Sequence, residues 1–191
     1  MIAEAVRRTR AIDGAGQQPG RRRYDAGVMG TLAVWRRCAS LPGGKWAFAR
    51  LVCLKAPYFD TIRPRFEELR PQYCRLSIRK RRAVLNHIGT VHAIAMCNMA
   101  ELAGGTMTEV SIPVTHRWIP RGMTVEYLKK AASDLSAVAT PAAQPDWSAP
   151  GDYPVNVCVT DRSGEPVLRA LITMWVTPRS ATDAARGSRA R

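Results

Sequence analysis

Residues 155–160, VNVCVT, alternate strictly, with Val155, Val157 and Val159 on one side and Asn156, Cys158 and Thr160 on the other. A period of two is the signature of a half-buried strand. The turn DRSGE and a second β-rich run ending at Pro178 complete a hairpin, the clearest in the chain. Residues 73–85, YCRLSIRKRRAVL, open with the same alternation: Cys74, Leu76 and Ile78 against Arg75, Ser77 and Arg79. MTVEYLKKA and DLSAVATPA are two more candidate strands, and QPDWSAPGDYP reads as a proline-rich linker.

The period changes in NHIGTVHAIAMCNMAELAGG, residues 86–105. After the turn NHIGT, the apolar residues Ile94, Ala95, Met96, Met99, Ala100, Leu102 and Ala103 spread over all faces of a helix. The spacing predicts a helix from about His92 to Ala103, about 18 Å long and buried on every side, with Gly104-Gly105 ending it in a left-handed cap. Upstream, Leu32, Trp35, Phe48, Leu51 and Leu54 predict one or two helices broken near LPGG. Pro57, Pro64 and Pro71 then confine any helix to short pieces.

The expected order is a strand, a buried helix, then at least four strands on short loops. An antiparallel sheet wrapped around one long apolar helix buries that helix most economically, which makes the fold class α+β. Four segments follow: 1–27, a tail that is disordered or a misassigned start; 28–72, a helical extension packed on the core; 73–178, the sheet-and-helix domain; and 179–191, a disordered basic tail.

Composition narrows the function. The 191 residues are 46% hydrophobic, enough for one core, and no apolar run reaches the length of a membrane span. The start MIAEAVRRTR has no stretch fit for a secretory signal, so a cytoplasmic location is expected. The net charge of +14 suggests nucleic acid until it is located. Residues 1–27 hold six arginines against three acids, and residues 178–191 four against one. The tails thus account for six of the fourteen positive charges. The remaining eight suit an anionic ligand, such as a phosphorylated cofactor, better than a specific nucleic-acid partner. Five widely spaced cysteines without a CxxC pair fit buried thiols in a reducing compartment. His87, His92 and His116 lack metal-ligand spacing, and no metal site is expected.

Glu101 is the lone acid of the apolar helix. An ionised carboxylate in such a setting must reach solvent, find donors or take up a proton. Two of these outcomes suit a general base or nucleophile facing a cleft; the other use is a structural one, bonding a neighbouring arginine or backbone group. Asn98, three residues earlier on the same face, is placed to orient a water or the acid. His92 lies about 180° around the helix from Glu101, so the two do not meet within one copy.

The element order, with Asn86, Gly89, Thr90, Val91, His92 and Glu101, resembles the hotdog-fold acyl-CoA thioesterases akin to phenylacetyl-CoA thioesterase. That group shows an Asn, then G-T-[VL]-H-G-G, then an apolar helix with an acid nine residues after the His. Three segments, APYFDTIRPRFEELRPQYCRLSIRKRR, NHIGTVHAIAMCNMAELAGG and IPRGMTVEYLKKA, look more closely like a bacterial branch of the superfamily known only as a domain of unknown function. The resemblance spans roughly 73–178.

It implies hydrolysis of an acyl-CoA or another acyl thioester, with Glu101 as base or nucleophile and the Ala93 and Ile94 amides as oxyanion donors. Asn86 and His92, which join Glu101 and Asn98 as catalytic candidates, and Gly89 and Thr90, candidates for substrate binding, correspond to the loop before the helix, where the family histidine mainly fixes the loop. The site straddles a homodimer, or a dimer of dimers, and needs no cofactor beyond the coenzyme A of the substrate. Arg81, Arg82 and Arg121 are candidates for the CoA phosphates, or else solvated strand ends. This chain departs from the family at Ala93-Ile94, where the thioesterases carry Gly-Gly. The amides survive there, but the clearance for a ligand shrinks. The alternative is therefore a hotdog protein that binds acyl-CoA or a fatty acyl group without cleaving it.

Overall fold

In the computed structural model, which describes residues 30–144 and 146–179, the alternating runs pair into one six-stranded sheet. The strands are β1 (Arg65–Arg70), β2 (Tyr73–Ile78), β3 (His116–Tyr127), β4 (Leu135–Pro141), β5 (Gly151–Thr160) and β6 (Pro166–Pro178). Their order across the sheet is β1-β2-β4-β5-β6-β3, with every neighbouring pair antiparallel. The β5–β6 hairpin forms as its alternation requires: Val155, Val157 and Val159 are buried, and Asn156 is exposed. Three helices complete the described residues: α1 (Thr31–Ala39), α2 (Gly44–Lys55) and α3 (Ala93–Ser111). Short 3₁₀ segments lie at Pro57–Ile62 and Arg82–Val84. The fold is α+β, with α3 held against the sheet. Met99, Ala100, Ala103 and Met107 of that helix are fully buried, in one core with Leu76, Ala137, Val155 and Met174.

The helix differs from its expected form in length and in burial. It runs through Gly104 and Gly105 to Ser111, 19 residues or about 28 Å. Neither glycine takes a positive φ; both are places of close approach. A Cβ on Gly104 would lie 3.0 Å from Ile172 Cδ1, and one on Gly105 2.7 Å from Trp118 Cη2. The pair lets the helix settle onto the sheet, and that packing outweighs the roughly 1 kcal/mol of helix propensity each glycine costs. Nor is the helix buried all round: Ile94, Glu101 and Glu109 are exposed.

Among the strands, one is unexpected and three have a moved boundary. Arg65–Arg70, inside the stretch expected to be helical, is β1. Its buried residues Phe66 and Leu69 stand three apart because the register shifts between Phe66 and Glu68, and a bulged strand mimics helical spacing there. The strand expected at 73–85 stops at Ile78, and β5 starts at Gly151, inside the expected linker. Where a strand was expected from Met123, β3 begins seven residues earlier, at His116. Pro120 obscured that start; it is tolerated because β3 is an edge strand, with a register shift between Pro120 and Gly122.

At the opposite edge, α1 and α2 pack on β1 through Trp35, Phe48 and Phe66. Ring centroids of Phe48 lie 5.1 Å from Trp35 and 5.0 Å from Phe66, both edge-to-face. Lys45 of α2 donates from Nζ to the carbonyl oxygen of Glu67 at 2.7 Å, on the bulge of β1. Arg50 pairs with Asp60, which fastens α2 to the first 3₁₀ segment. All five cysteines are thiols, and burial pushes that of Cys74 well above its ordinary range. The expected tail at 1–27, and that at 179–191 apart from Arg179, lie outside the described residues.

Candidate active site

The loop before α3 is built around Asn86. Its Oδ1 accepts from the amides of Ile88 at 3.1 Å and Thr90 at 3.0 Å, and its Nδ2 donates to Thr90 Oγ1 at 2.8 Å. Gly89, at φ +77°, closes the turn, and no side chain but hydrogen fits that conformation without strain. A Cβ there would meet nothing within 4 Å, so the glycine serves the backbone rather than ligand clearance. Asn86, Gly89 and Thr90 thus shape and order the loop.

His92 is the N-cap of α3. Its backbone N–H donates to Val84 at 2.8 Å, and its Nδ1 accepts from the Ile94 amide at 3.1 Å. An acceptor Nδ1 leaves the ring proton on Nε2. The same bond engages the Ile94 amide, one of the two expected oxyanion donors, and leaves Ala93 as the donor not held by the cap.

Beside this helix start lies a cavity of about 380 Å³, walled by the first 3₁₀ segment, by Ala83 to Leu85, and by His92, Ile94, Ala95 and Asn98. Asn98 is 6% exposed and bonds to the 3₁₀ segment. Its Nδ2 donates to Thr61 Oγ1 at 3.1 Å and points at the carbonyl oxygen of Tyr58 at 3.5 Å; its Oδ1 is buried with no partner among the described residues. A buried acceptor left empty costs about 1–3 kcal/mol. Tyr58 and Thr61 escaped sequence reasoning because they come from a segment almost forty residues earlier and line the cavity only through the fold.

Glu101 does not line this cavity. It is exposed and has no hydrogen bond or ion pair among the described residues. It shares a face of α3 with Ile94, seven residues or about 10 Å along the axis. Between them, half-buried Cys97 meets Tyr127 of β3, Sγ to hydroxyl 3.1 Å. The Cys97 contact, then burial, pushes the Tyr127 hydroxyl above its usual range. The strip Ile94–Cys97–Glu101 therefore adjoins the open edge of the sheet, where Ile119, Met123 and Tyr127 are exposed.

The candidate arginines separate. Arg81 donates to the Thr61 carbonyl oxygen and closes the 3₁₀ segment onto the loop. Arg82 is exposed. Arg121 sits on the β3 bulge, pairs with Asp152 at 3.0 Å and covers the Trp175 ring, 4.8 Å from its centroid. Neither of those two partners lines the cavity. Among the described residues, no group of three or more His, Cys, Asp or Glu is placed to hold a metal ion.

Residues 44–176, most of the chain, match the family model described as "Domain of unknown function (DUF4442)". The chain belongs to the DUF4442 family. No curated protein matches it. Among solved structures, a genomics target protein is 50% identical, with 78% of this chain and 99% of that one covered at a TM-score of 0.69. A Pseudomonas aeruginosa protein of unknown function, called a probable thioesterase, is 25% identical over 73% of this chain and 97% of its own, with a TM-score of 0.61. A Haemophilus influenzae thioesterase shares 11% identity over 63% of this chain and 82% of its own, with a TM-score of 0.58. The likeness at 11% carries fold alone: this DUF4442 chain has the hotdog fold of solved thioesterases. No helix among the described residues is long and apolar enough to cross a membrane.

Proposed function

We propose that the protein is an acyl-CoA thioesterase-like hydrolase that works as a homodimer, with Glu101 as general base or nucleophile. The observation that carries this reading is the position of Glu101: exposed, unpaired and on the strip of α3 beside the open sheet edge. A carboxylate there activates a water or attacks the thioester carbonyl itself. The amide of Ala93 and the positive end of α3 receive the oxyanion that develops.

Within one copy these parts do not cooperate. About 12 Å of helix separates Glu101 from Ala93, beyond the reach of one side chain and one water. A second copy joined along β3 supplies the missing helix start. The substrate is an acyl thioester, and coenzyme A enters only as part of it. Arg82, exposed at the loop beside the cavity, is the better placed of the candidate arginines to meet a phosphate.

Release of free thiol from a panel of aromatic, short-chain and long-chain acyl-CoA esters tests the reading; no release from any of them overturns it. The dimer carries its own expectation. Replacing Met123 with Lys on the exposed edge should shift the mass in light scattering from two copies toward one and lower turnover with it. A variant that stays dimeric and active would rule out β3 as the joint.

One observation favours a second reading, in which the ester binds without being cleaved. Ile94, 55% exposed at the cavity wall, occupies a place where the thioesterases have glycine. If its side chain blocks attack, Ile94→Gly should raise thiol release at least tenfold over wild type, while unchanged rates would exclude that block.

A further inference from the structure

We infer that the outer face of α2 docks on an anionic lipid surface. Docking needs no turnover, so this goes beyond the hydrolase reading and does not depend on it.

A helix packed on a domain normally turns polar residues to water. The outer face of α2 is largely apolar instead. Phe48, Ala49, Val52 and Cys53 face the core. Trp46, Ala47, Arg50, Leu51 and Leu54 fall within an arc of about 140° on the other side. Trp46 is 70% exposed and Leu54 75%, about 12 Å apart along the axis. Leu51 is exposed between them, as are Leu41 in the loop before α2 and Tyr58 three residues after it. Tyr58 also lines the cavity at the start of α3, so the apolar run reaches the cavity wall. Single exposed apolar side chains are ordinary, whereas several on one helix and its flanks mark a contact surface.

Charge decides what covers it. From Gly30 to Asp60 the chain holds five basic residues, Arg36, Arg37, Lys45, Arg50 and Lys55, against the single acid Asp60, which Arg50 pairs. Arg36, Arg37 and Lys55 are exposed and have no ion pair among the described residues. Lys55 ends α2, and the two arginines end α1, which packs against it. A second copy would bring the same positive face, and residues 1–27 of this chain carry six arginines against three acids, so neither complements it. An anionic bilayer does. Its headgroups attract the cations, while leucine side chains enter the boundary with the acyl chains. Tryptophan suits that boundary, with an apolar body and one polar N–H, and lysine and arginine stems lie along it with their charges in water.

Co-sedimentation of the full-length protein with lipid vesicles tests the inference. Wild type should bind phosphatidylcholine vesicles holding about one third phosphatidylserine at least tenfold more tightly than vesicles of phosphatidylcholine alone. Trp46→Ser combined with Leu54→Ser changes no charge and touches no core residue. It should weaken binding to the anionic vesicles at least tenfold, with the melting temperature unchanged. Lys55→Glu should weaken it as well, more at low salt than at high. Wild type that does not bind the anionic vesicles overturns the inference, whatever the variants do to folding. Full binding by the double variant also overturns it, since charge alone would then hold the protein to the lipid. Absence of vesicle binding, with a light-scattering mass that falls in the double variant, would give the face to a second copy instead. Thiol release enters none of these readouts, so a failure of the hydrolase reading leaves this result standing.

Discussion

Glu101→Gln should lower kcat for acyl-CoA hydrolysis at least a hundredfold, with melting temperature unchanged. Glutamine keeps the size and hydrogen-bonding reach of the side chain but is neither a base nor a nucleophile, and general-base catalysis contributes about 10²–10⁴-fold. Glu101 is exposed and bonded to nothing among the described residues, so the substitution falls within the roughly 0.5 kcal/mol that surface changes bring. Glu109→Gln is the control. It lies on the same helix and is also exposed, but its carboxylate accepts from Trp118 Nε1 at 2.7 Å. That variant should keep full turnover. Equal rates for wild type and Glu101→Gln would take the acid out of the reaction.

The largest expected loss of stability comes from Phe48→Ala, at about 3–5 kcal/mol. Phe48 is 2% exposed and stands between Trp35 and Phe66, so one ring holds α1, α2 and β1 together. Removing it empties a close-packed site that the surrounding backbone cannot fully close. Leu54→Ala, on the same helix but 75% exposed, should cost less than about 0.5 kcal/mol. Denaturant melts at one fixed protein concentration compare the two, since the proposed dimer would add to apparent stability. A loss for Phe48→Ala no larger than that for Leu54→Ala would show that the aromatic cluster does not support the fold. Because Arg50 of α2 pairs with Asp60, loosening α2 also loosens the cavity wall, and ligand binding should weaken before the sheet melts.

What could be read from the chain was whatever its local spacing encodes. The β5–β6 hairpin was legible because one face is core and the other is not, and residues two apart report that directly. The loop from Asn86 to Thr90 was legible as a turn because its bonds are local. β1 was hidden by its bulge, which gives Phe66 and Leu69 a helical spacing. The end of α3 was hidden because Gly104-Gly105 has two uses, as a cap or as a close contact, and only the sheet beneath decides between them. Glu101 was legible as an anomaly, a charge in an apolar run. Its surroundings were not, since Tyr127 meets the strip from thirty residues away. Asn98 drew attention through its place on the helix, but the orphaned oxygen depends on Tyr58 and Thr61. No window along the sequence contains all three.

The α2 lysine that reaches the β1 bulge bears on how many molecules join. A sheet with two bare rims invites stacking without end, and proteins avoid this by plugging a rim. Here Lys45 and the packed helix stand guard on one side, while on the far side β3 is the bare rim. In the proposed pairing along β3, a second copy would find no further bare rim to pass on, so growth would halt at a closed couple instead of a fibre.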